Sequence, residues 1–304
     1  MTAIEVRRLV KQYSAYPALD GIGFAIAAGT VTALLGPNGA GKTTIMEILT
    51  GLARPTSGTV RVLGVDPQRG PREWRSRIGV VAQSNGIDLQ LTVTEALRLF
   101  ARHYPRPLPV AEVLDMIDLT GDAHTRIGAL SGGQRRRVDV AVGVIGRPEL
   151  LFLDEPTTGL DPEARRELWR VVTRLVDQGT TVLLTTHYLD EAQHLAGRLI
   201  VLVGGRIVAD APPEQLRTRD LAPTIRLPLP VGASFAGLPD TLAAHRDPDS
   251  GELRIASADL AADLATVLDW ARRNHVDLAG LQVGSPSLED AYLALVADPA
   301  GSLL

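Results

Sequence analysis

The stretch Gly36-Pro37-Asn38-Gly39-Ala40-Gly41-Lys42-Thr43-Thr44 constrains the chain more than any other. It follows the apolar run Val31 to Leu35 and leads into Ile45-Met46-Glu47-Ile48-Leu49. That order reads as a buried strand, a glycine turn and the start of a helix, which is the setting a phosphate-binding P-loop requires. Gly36, Gly39 and Gly41 allow a tight turn with no Cβ in the way, so successive N–H groups and the helix N-terminus can face one anion. Lys42 is then placed to reach the β- and γ-phosphates of a nucleotide, and the Thr43 hydroxyl to coordinate Mg²⁺. Composition sharpens the point. Of 31 basic residues only Lys11 and Lys42 are lysines, so a chain that otherwise uses arginine sets one of its two compact ammonium groups where a phosphate needs it.

At 304 residues there is room for one large domain and a smaller one. A net charge of −4 argues against a nucleic-acid binder led by a general basic field. There is no cysteine, hence no disulfide and no thiolate metal site. The N-terminus, Met1 to Arg7, lacks the apolar core of a signal peptide, and no apolar run approaches the length needed to span a bilayer. The expectation is a cytosolic protein whose membrane association comes through a partner.

Along the chain, Ile4 and Val6, then Phe24 and Ile26, have period-two spacing on either side of Tyr13 to Gly21, which predicts an antiparallel strand pair before the P-loop strand. Ser57 to Gly64 reads as a hairpin return, and Arg77 to Ala82 as a buried strand with Gln83 at its carboxyl end. From Leu91 to Val144 the spacing is helical, interrupted by Pro105, Pro107 and Pro109, and predicts a helical insertion. The insertion ends in Leu130-Ser131-Gly132-Gly133-Gln134-Arg135-Arg136-Arg137-Val138. Ser131 suits an N-cap there, and the following amides form a second candidate anion site.

Leu150-Leu151-Phe152-Leu153-Asp154-Glu155 describes a central strand whose tip carries two carboxylates. An Asp in that place can hold Mg²⁺ directly or through water, and the Glu after it can orient and deprotonate an attacking water. Two acids there could equally be ordinary turn residues. Gly159-Leu160-Asp161-Pro162 leads into a helix through Val171 and Leu175, and Thr181 to Thr186 forms a strand with His187 at its tip. A lone histidine is more often structural than catalytic.

In this order and spacing the segments resemble the nucleotide-binding subunit of ATP-binding-cassette (ABC) transporters over roughly residues 1–220. Gly36 to Thr44 matches the family's Walker A, Gln83 the Q-loop glutamine and Leu130 to Gln134 the LSGGQ signature. Leu150 to Glu155 matches Walker B with its glutamate, Asp161 the D-loop aspartate, His187 the switch histidine and Tyr13 the aromatic that stacks on adenine. LSGGQ is the most specific of these, since other P-loop families lack it.

The resemblance implies an α/β fold: a RecA-like P-loop NTPase core with an antiparallel β subdomain and a helical insertion at about 88–146, plus a small C-terminal α+β domain at 221–304. It implies ATP held by Tyr13, Gly36, Pro37, Asn38, Gly39, Ala40, Gly41, Lys42, Thr43 and Thr44, and Mg²⁺ held by Thr43, Gln83 and Asp154. Glu155 would be the base, with His187 and Lys42 at the γ-phosphate. Ser131, Gly132, Gly133, Gln134 and Asp161 would serve the nucleotide of a second, opposing copy.

The tail after the Arg217 to Pro223 linker reads as a strand at Ile225 to Leu227, a short helix near Leu238 to Ala244 and a strand at Leu253 to Ile255. An amphipathic helix follows with Leu260, Leu264, Val267, Leu268 and Ala271 on one face, an ordinary core stripe. A last helix starts near Ser285-Pro286-Ser287 with Pro at an N1-like position and acids behind it. Pro286-Ser287-Leu288-Glu289-Asp290 is similar to the tail of drug- and antibiotic-export ATPases of the daunorubicin-resistance type. Those pair with a separate ABC-2-type permease at the cytoplasmic face of the membrane. That subfamily's signature often reads SGGMRRR, and here Gln134 keeps the general form.

A soluble ABC ATPase of DNA repair or the ribosome usually carries two cassettes, long coiled coils or zinc-bearing insertions. This chain has one cassette, no cysteine and no sustained heptads. A non-hydrolysing regulatory subunit would lack Glu155 or the signature, and both are present. The sequence therefore predicts an ATP-hydrolysing subunit of an exporter, with Asn85 to Leu89 as the surface that meets the permease.

Overall fold

The computed structural model describes residues 1–14, 16–83, 86–217, 223–229, 238, 242–246, 252–257, 259–284 and 287–297. The chain divides into two compact units, the first running from Met1 to Pro213 and the second from Glu214 to Ala297.

The first unit opens with β1 (Thr2–Tyr13) and β2 (Tyr16–Ala27), then β3 (Val31–Leu35), α1 (Lys42–Thr50) and β4 (Ser57–Val62). After α2 (Arg72–Arg75) and β5 (Ile78–Val81) come three helices, α3 (Val93–Ala101), α4 (Val110–Met116) and α5 (Gly132–Val144). The unit closes with β6 (Leu150–Asp154), α6 (Pro162–Asp177), β7 (Thr181–Thr186), α7 (Leu189–Leu195), β8 (Arg198–Val203) and β9 (Arg206–Ala211).

Two sheets result. One is antiparallel with order β2-β1-β4; the other has six strands in the order β5-β6-β7-β3-β8-β9, parallel except for the edge strand β9. β3, β6 and β7 are buried along almost their whole length and mostly apolar, because helices and sheet cover both of their faces, as parallel strands require. Ile45, Ile48 and Leu49 of α1 join side chains of both sheets, among them Ile4, Leu19, Leu34 and Phe152, in one buried cluster. The helix behind the glycine loop is thus wedged between the sheets, and the loop inherits that rigidity.

The β1–β2 connection is tighter than the sequence suggests. Tyr13 pairs with Tyr16 and Lys11 with Leu19, so the strands continue through most of the stretch read as their separator. The hairpin β8–β9 has no counterpart in the sequence reading; it turns at Gly204 and Gly205, both at positive φ.

The second unit contains α8 (Pro213–Arg217), which begins at the boundary, then β10 (Thr224–Leu227), β11 (Ala243–Arg246), β12 (Leu253–Ala256), α9 (Leu260–Arg273), β13 (Gln282–Gly284) and α10 (Leu288–Ala297). Its sheet has the order β11-β12-β10-β13 and is antiparallel throughout. The helix expected near Leu238 to Ala244 does not hold at its end, where Ala243 and Ala244 belong to β11 and pair with β12; residues 239–241 lie outside those described. Five residues of apolar spacing cannot outweigh an open strand edge, where pairing satisfies a row of backbone groups.

On α9 the buried face is Val267, Trp270 and Ala271, packed on Ile225, Leu227, Leu253 and Ile255 with Leu260 and Leu264 at its margin. Trp270 joins that buried face, whereas Leu268, expected on it, is only partly buried. The last helix begins at Leu288, so Pro286, which lies outside the described residues, is not its first residue. Ser287 caps it instead: its hydroxyl accepts from the Asp290 amide at 3.1 Å and its amide donates to Asp290 Oδ2 at 2.8 Å.

Among the described residues no helix is long and apolar enough to cross a membrane.

Candidate functional site

The parallel strands β3, β5, β6 and β7 bring their carboxyl ends to one edge of the sheet. The residues that follow them there are the glycine loop, Gln83, Glu155 and His187. They line an open cleft of about 620 Å³ together with Tyr13, Tyr16, Ala18, Asn38 to Thr44 and Thr158.

The loop is glycine where backbone must touch backbone. A Cβ on Gly36 would lie 2.3 Å from the Leu202 carbonyl oxygen, and one on Gly41 would lie 2.7 Å from that of Ala18. Gly41 also has φ +107, which only glycine adopts without strain. Gly39 differs, because a Cβ there would meet nothing within 4 Å; its φ of +80 favours glycine, and it lines the cleft. Gly41 caps α1 without a side chain, so the first amides of that helix have no side-chain acceptor at the cap.

Lys42 is 6% exposed. Its ammonium folds back onto the loop, donating to the carbonyls of Gly36 at 2.7 Å and Pro37 at 3.3 Å, with Glu155 Oε1 at 3.8 Å. Burial lowers its pKa, and the neighbouring Glu155 and Asp154 carboxylates oppose that.

At the tip of β6 one hydroxyl organises both acids. Thr185 Oγ1 donates to Asp154 Oδ1 at 2.5 Å and accepts from the Glu155 amide at 3.0 Å. Glu155 sits at φ 44, a left-handed conformation costing a non-glycine residue about 1 kcal/mol or more. There its carboxylate collects three contacts: His187 Nδ1 at 3.4 Å and Lys42 Nζ at 3.8 Å on Oε1, and the Thr158 hydroxyl at 3.1 Å on Oε2.

Tyr13 and Tyr16 stand at the mouth, both more exposed than ordinary for aromatics, on strands joined by the tight turn. The Lys11 ammonium lies 4.5 Å over the Tyr13 ring while donating to the Arg54 carbonyl at 2.8 Å.

The signature residues are not in this cleft. Ser131 caps α5 in a reciprocal pair with Gln134: its hydroxyl accepts from the Gln134 amide at 3.2 Å, and the Gln134 side-chain oxygen accepts from the Ser131 amide at 2.9 Å. Gln134 Nε2 also donates to Asp122 at 3.0 Å. A Cβ on Gly133 would press within 2.6 Å of the Ala164 methyl, so α5 meets α6 there, whereas Gly132 is open. Asp161 is likewise outside the cleft and has a local task, accepting the Glu163 and Ala164 amides at 3.0 and 2.9 Å as the cap of α6.

Tyr16, Thr158 and Thr185 are site residues the sequence reading lacks. Tyr16 was legible as a second aromatic three positions from Tyr13; Thr158 and Thr185 carry no pattern of their own, since a single hydroxyl beside an acid is common.

The donor set suits Mg²⁺·ATP. Thr43, Gln83 and Asp154 offer only hard oxygens and a single carboxylate, which leaves coordination positions for phosphate oxygens and water. The open backbone at Gly39, the start of α1 without a side-chain cap and the buried lysine suit a polyphosphate.

Fold and site together define a P-loop nucleotide-binding cassette with a helical insertion. Residues 19–158 match the family model for ABC transporters, and residues 223–287 match that for the C-terminal domain of ABC transporter domain-containing proteins. The daunorubicin/doxorubicin resistance ATP-binding protein DrrA of Streptomyces peucetius is 41% identical over 98% of this chain and 93% of its own length. The Nod factor export ATP-binding protein I of Neorhizobium galegae is 40% identical over 79% of this chain and 69% of its own. A solved dimeric cassette in a post-hydrolysis state, bound to ADP and Pi, superposes with a TM-score of 0.62 at 25% identity, over 69% of this chain and 98% of that one. The chain belongs to the ABC transporter ATP-binding family, in its drug-exporter subfamily.

Proposed function

We propose that this chain binds Mg²⁺·ATP in the cleft, hydrolyses it between two copies, and powers export of a drug, antibiotic or other hydrophobic compound through a separate ABC-2-type permease at the cytoplasmic face of the membrane. The observation that carries the hydrolytic reading is Glu155, held by strained backbone between the buried Lys42 ammonium and His187 at the floor of the cleft. The relatives' names, one a drug-resistance and one an export ATP-binding protein, support the transport reading.

In this reading the base of ATP stacks on Tyr13, whose other face Lys11 supports, with Tyr16 closing the same mouth. The amides of Gly39 to Thr44 cradle the β-phosphate, and Lys42 leaves the Gly36 carbonyl for the β- and γ-oxygens. Thr43, Gln83 and Asp154 hold Mg²⁺, which neutralises charge on the transferred phosphoryl group. Glu155 takes the proton of the attacking water, and His187 contacts the γ-phosphate and steadies the Glu155 carboxylate. The Ser131 hydroxyl and the amides of Gly132 and Gly133 from the second copy close over the γ-phosphate, which accounts for their position outside this cleft.

Glu155→Gln is the test. It keeps the volume and removes the base, so ATP binding persists while turnover falls roughly a hundred- to ten-thousandfold, and ATP with Mg²⁺ drives monomers into a stable dimer. A variant that stays monomeric with saturating ATP, as measured by light scattering, contradicts the two-copy site.

The permease contact is assigned to the loop ending at Leu89; Asn85 lies outside the described residues. Leu89 is half exposed, and Asp88 holds the turn by accepting the Gln90 amide at 2.9 Å. Asp88→Lys with Leu89→Ala abolishes co-purification with a membrane-spanning partner and spares ATP binding. Undiminished co-purification would remove this surface from the account, and recovery with ribosomes or DNA in place of a membrane protein would favour a soluble ABC ATPase.

A further inference from the structure

The three arginines after the signature have different surroundings, and only one of them reaches the site. Arg135 donates to the Leu130 carbonyl within its own turn, and Arg137 pairs with Glu167 of α6 at 3.3 Å. Arg136 is 8% exposed and points to the ends of β5 and β6. The ladder between those strands stops at the Val81–Leu153 pair. The guanidinium occupies the place where it would continue, donating to the Ala82 carbonyl at 2.8 Å on one strand and the Asp154 carbonyl at 3.0 Å on the other.

It also reaches the carbonyls of Pro156 at 2.8 Å and of Gln83 and Glu155 at 3.4 Å. Asp139, one turn further along α5, lies 3.5 Å away and balances the charge. One planar fork of donors therefore gathers five carbonyls from the two segments that carry Gln83, Asp154 and Glu155.

α5 is seated without slack where it crosses β5. A Cβ on Gly79 would fall 2.2 Å from the Gly143 carbonyl oxygen, and one on Gly143 would fall 2.6 Å from Val81. Ser131 and Arg136 lie five residues apart on this stiff element, an axial distance of about 7 Å. A displacement at the capped end of α5 must be felt at the carbonyls that Arg136 holds.

We propose that Arg136 is a positioning residue that sets Gln83 and Glu155 against each other from the signature helix. Through it, engagement of the signature turn by a second copy's nucleotide is transmitted to the Mg²⁺-binding and water-activating groups of the same chain. The inference rests on the two-copy hydrolytic reading above.

Arg136→Lys tests it. The charge stays, but a single ammonium cannot bond both strand ends. The nucleotide loop and Tyr13 are untouched, so affinity for a fluorescent ATP analogue stays close to the parent's. kcat falls roughly tenfold or more with KM little changed, in line with the loss of charge-assisted bonds. The Mg²⁺ concentration for half-maximal turnover rises. In a Glu155→Gln background the same change weakens ATP-driven dimerisation, a readout that does not depend on turnover. Arg136→Met should show the same pattern more strongly; if it fails to fold, the Lys variant decides.

A Lys variant with parental kcat, Mg²⁺ dependence and dimerisation overturns the inference. So does one in which affinity, rate and melting temperature fall in parallel, since that describes a plain brace at a strand end. A parent protein that neither binds ATP nor dimerises with it would overturn the cassette reading and this inference together, whereas a normal parent beside an unaffected variant removes this inference alone.

Discussion

Two glycine-rich turns open helices in this chain, and they differ in how their first amides are satisfied. At α1 the cap is Gly41, with no side-chain acceptor, and the Lys42 ammonium is bound to the loop's own carbonyls. At α5 the cap is Ser131, locked with Gln134 in a reciprocal pair that Asp122 reinforces. A glycine cap costs a helix only a few tenths of a kcal/mol relative to a polar one, so the first end keeps its amides open at little expense, and the second is complete as it stands. The first turn can therefore collect an anion by itself. In the function proposed above, the second serves a phosphate already held by the other copy. Sequence marks both turns as anion sites; the structure adds that one cap has no side chain and the other is already paired.

Substitutions at the two turns should separate along the same line. Lys42→Ala has the largest effect. It removes a buried ammonium and its charge-assisted bonds to phosphate, so the dissociation constant for ATP rises roughly ten- to a hundredfold by calorimetry. Parental affinity would contradict the role given to α1.

Ser131→Ala comes next and should behave oppositely. ATP affinity of the monomer stays at the parental value, turnover falls roughly tenfold or more through the lost contact to the partner's phosphate, and the melt reports a loss of about 1 kcal/mol from the cap. A drop in monomer affinity would bring the two turns into one site and end the distinction.

A third helix start gives the smallest effect. Asp161 caps α6, and the amide bonds from Ala164 and then Glu163 hold its pKa below the usual aspartate value. With the folded pKa lowered, the stabilisation is fully present above the unfolded value near 4 and is lost as pH falls through the lowered one. The melting-temperature difference between parent and Asp161→Ala should be present at pH 7 and shrink below about pH 4. A difference that persists undiminished in acid would show that the carboxylate charge is not what the cap uses.

The site was legible in the sequence to the extent that it rests on backbone. β3, β6 and β7 are largely apolar runs without polar alternation, which betrays buried parallel strands, and the chemistry sits at their carboxyl ends. Thr185, which holds both Asp154 and Glu155, lies 30 residues along the chain from Glu155 and among other threonines of a buried strand, so nothing local marks it. Arg136 is concealed differently, in a run of three arginines that reads as one basic turn. Its burial follows from the place where the β5–β6 ladder stops, which is a property of the sheet.

In the second unit Ala243 and Ala244, read as the end of a short helix, pair instead in β11, and Trp270 rather than Leu268 joins the buried face of α9. The β8–β9 hairpin had a usable signal in Gly204-Gly205 between apolar runs.

The most direct test of the division between the two turns is to mix two inactive variants. Lys42→Ala damages the end of α1 and Ser131→Arg damages the end of α5, and each homodimer has two defective sites. If the turns of opposing copies share a nucleotide, each mixed dimer holds one site with both defects and one with neither. An equimolar mixture should then recover about a quarter of parental ATPase activity, since half the dimers are mixed and each has one of two sites intact. A mixture no more active than its components would mean that both turns act on the nucleotide of their own chain, and the two-copy account would be wrong.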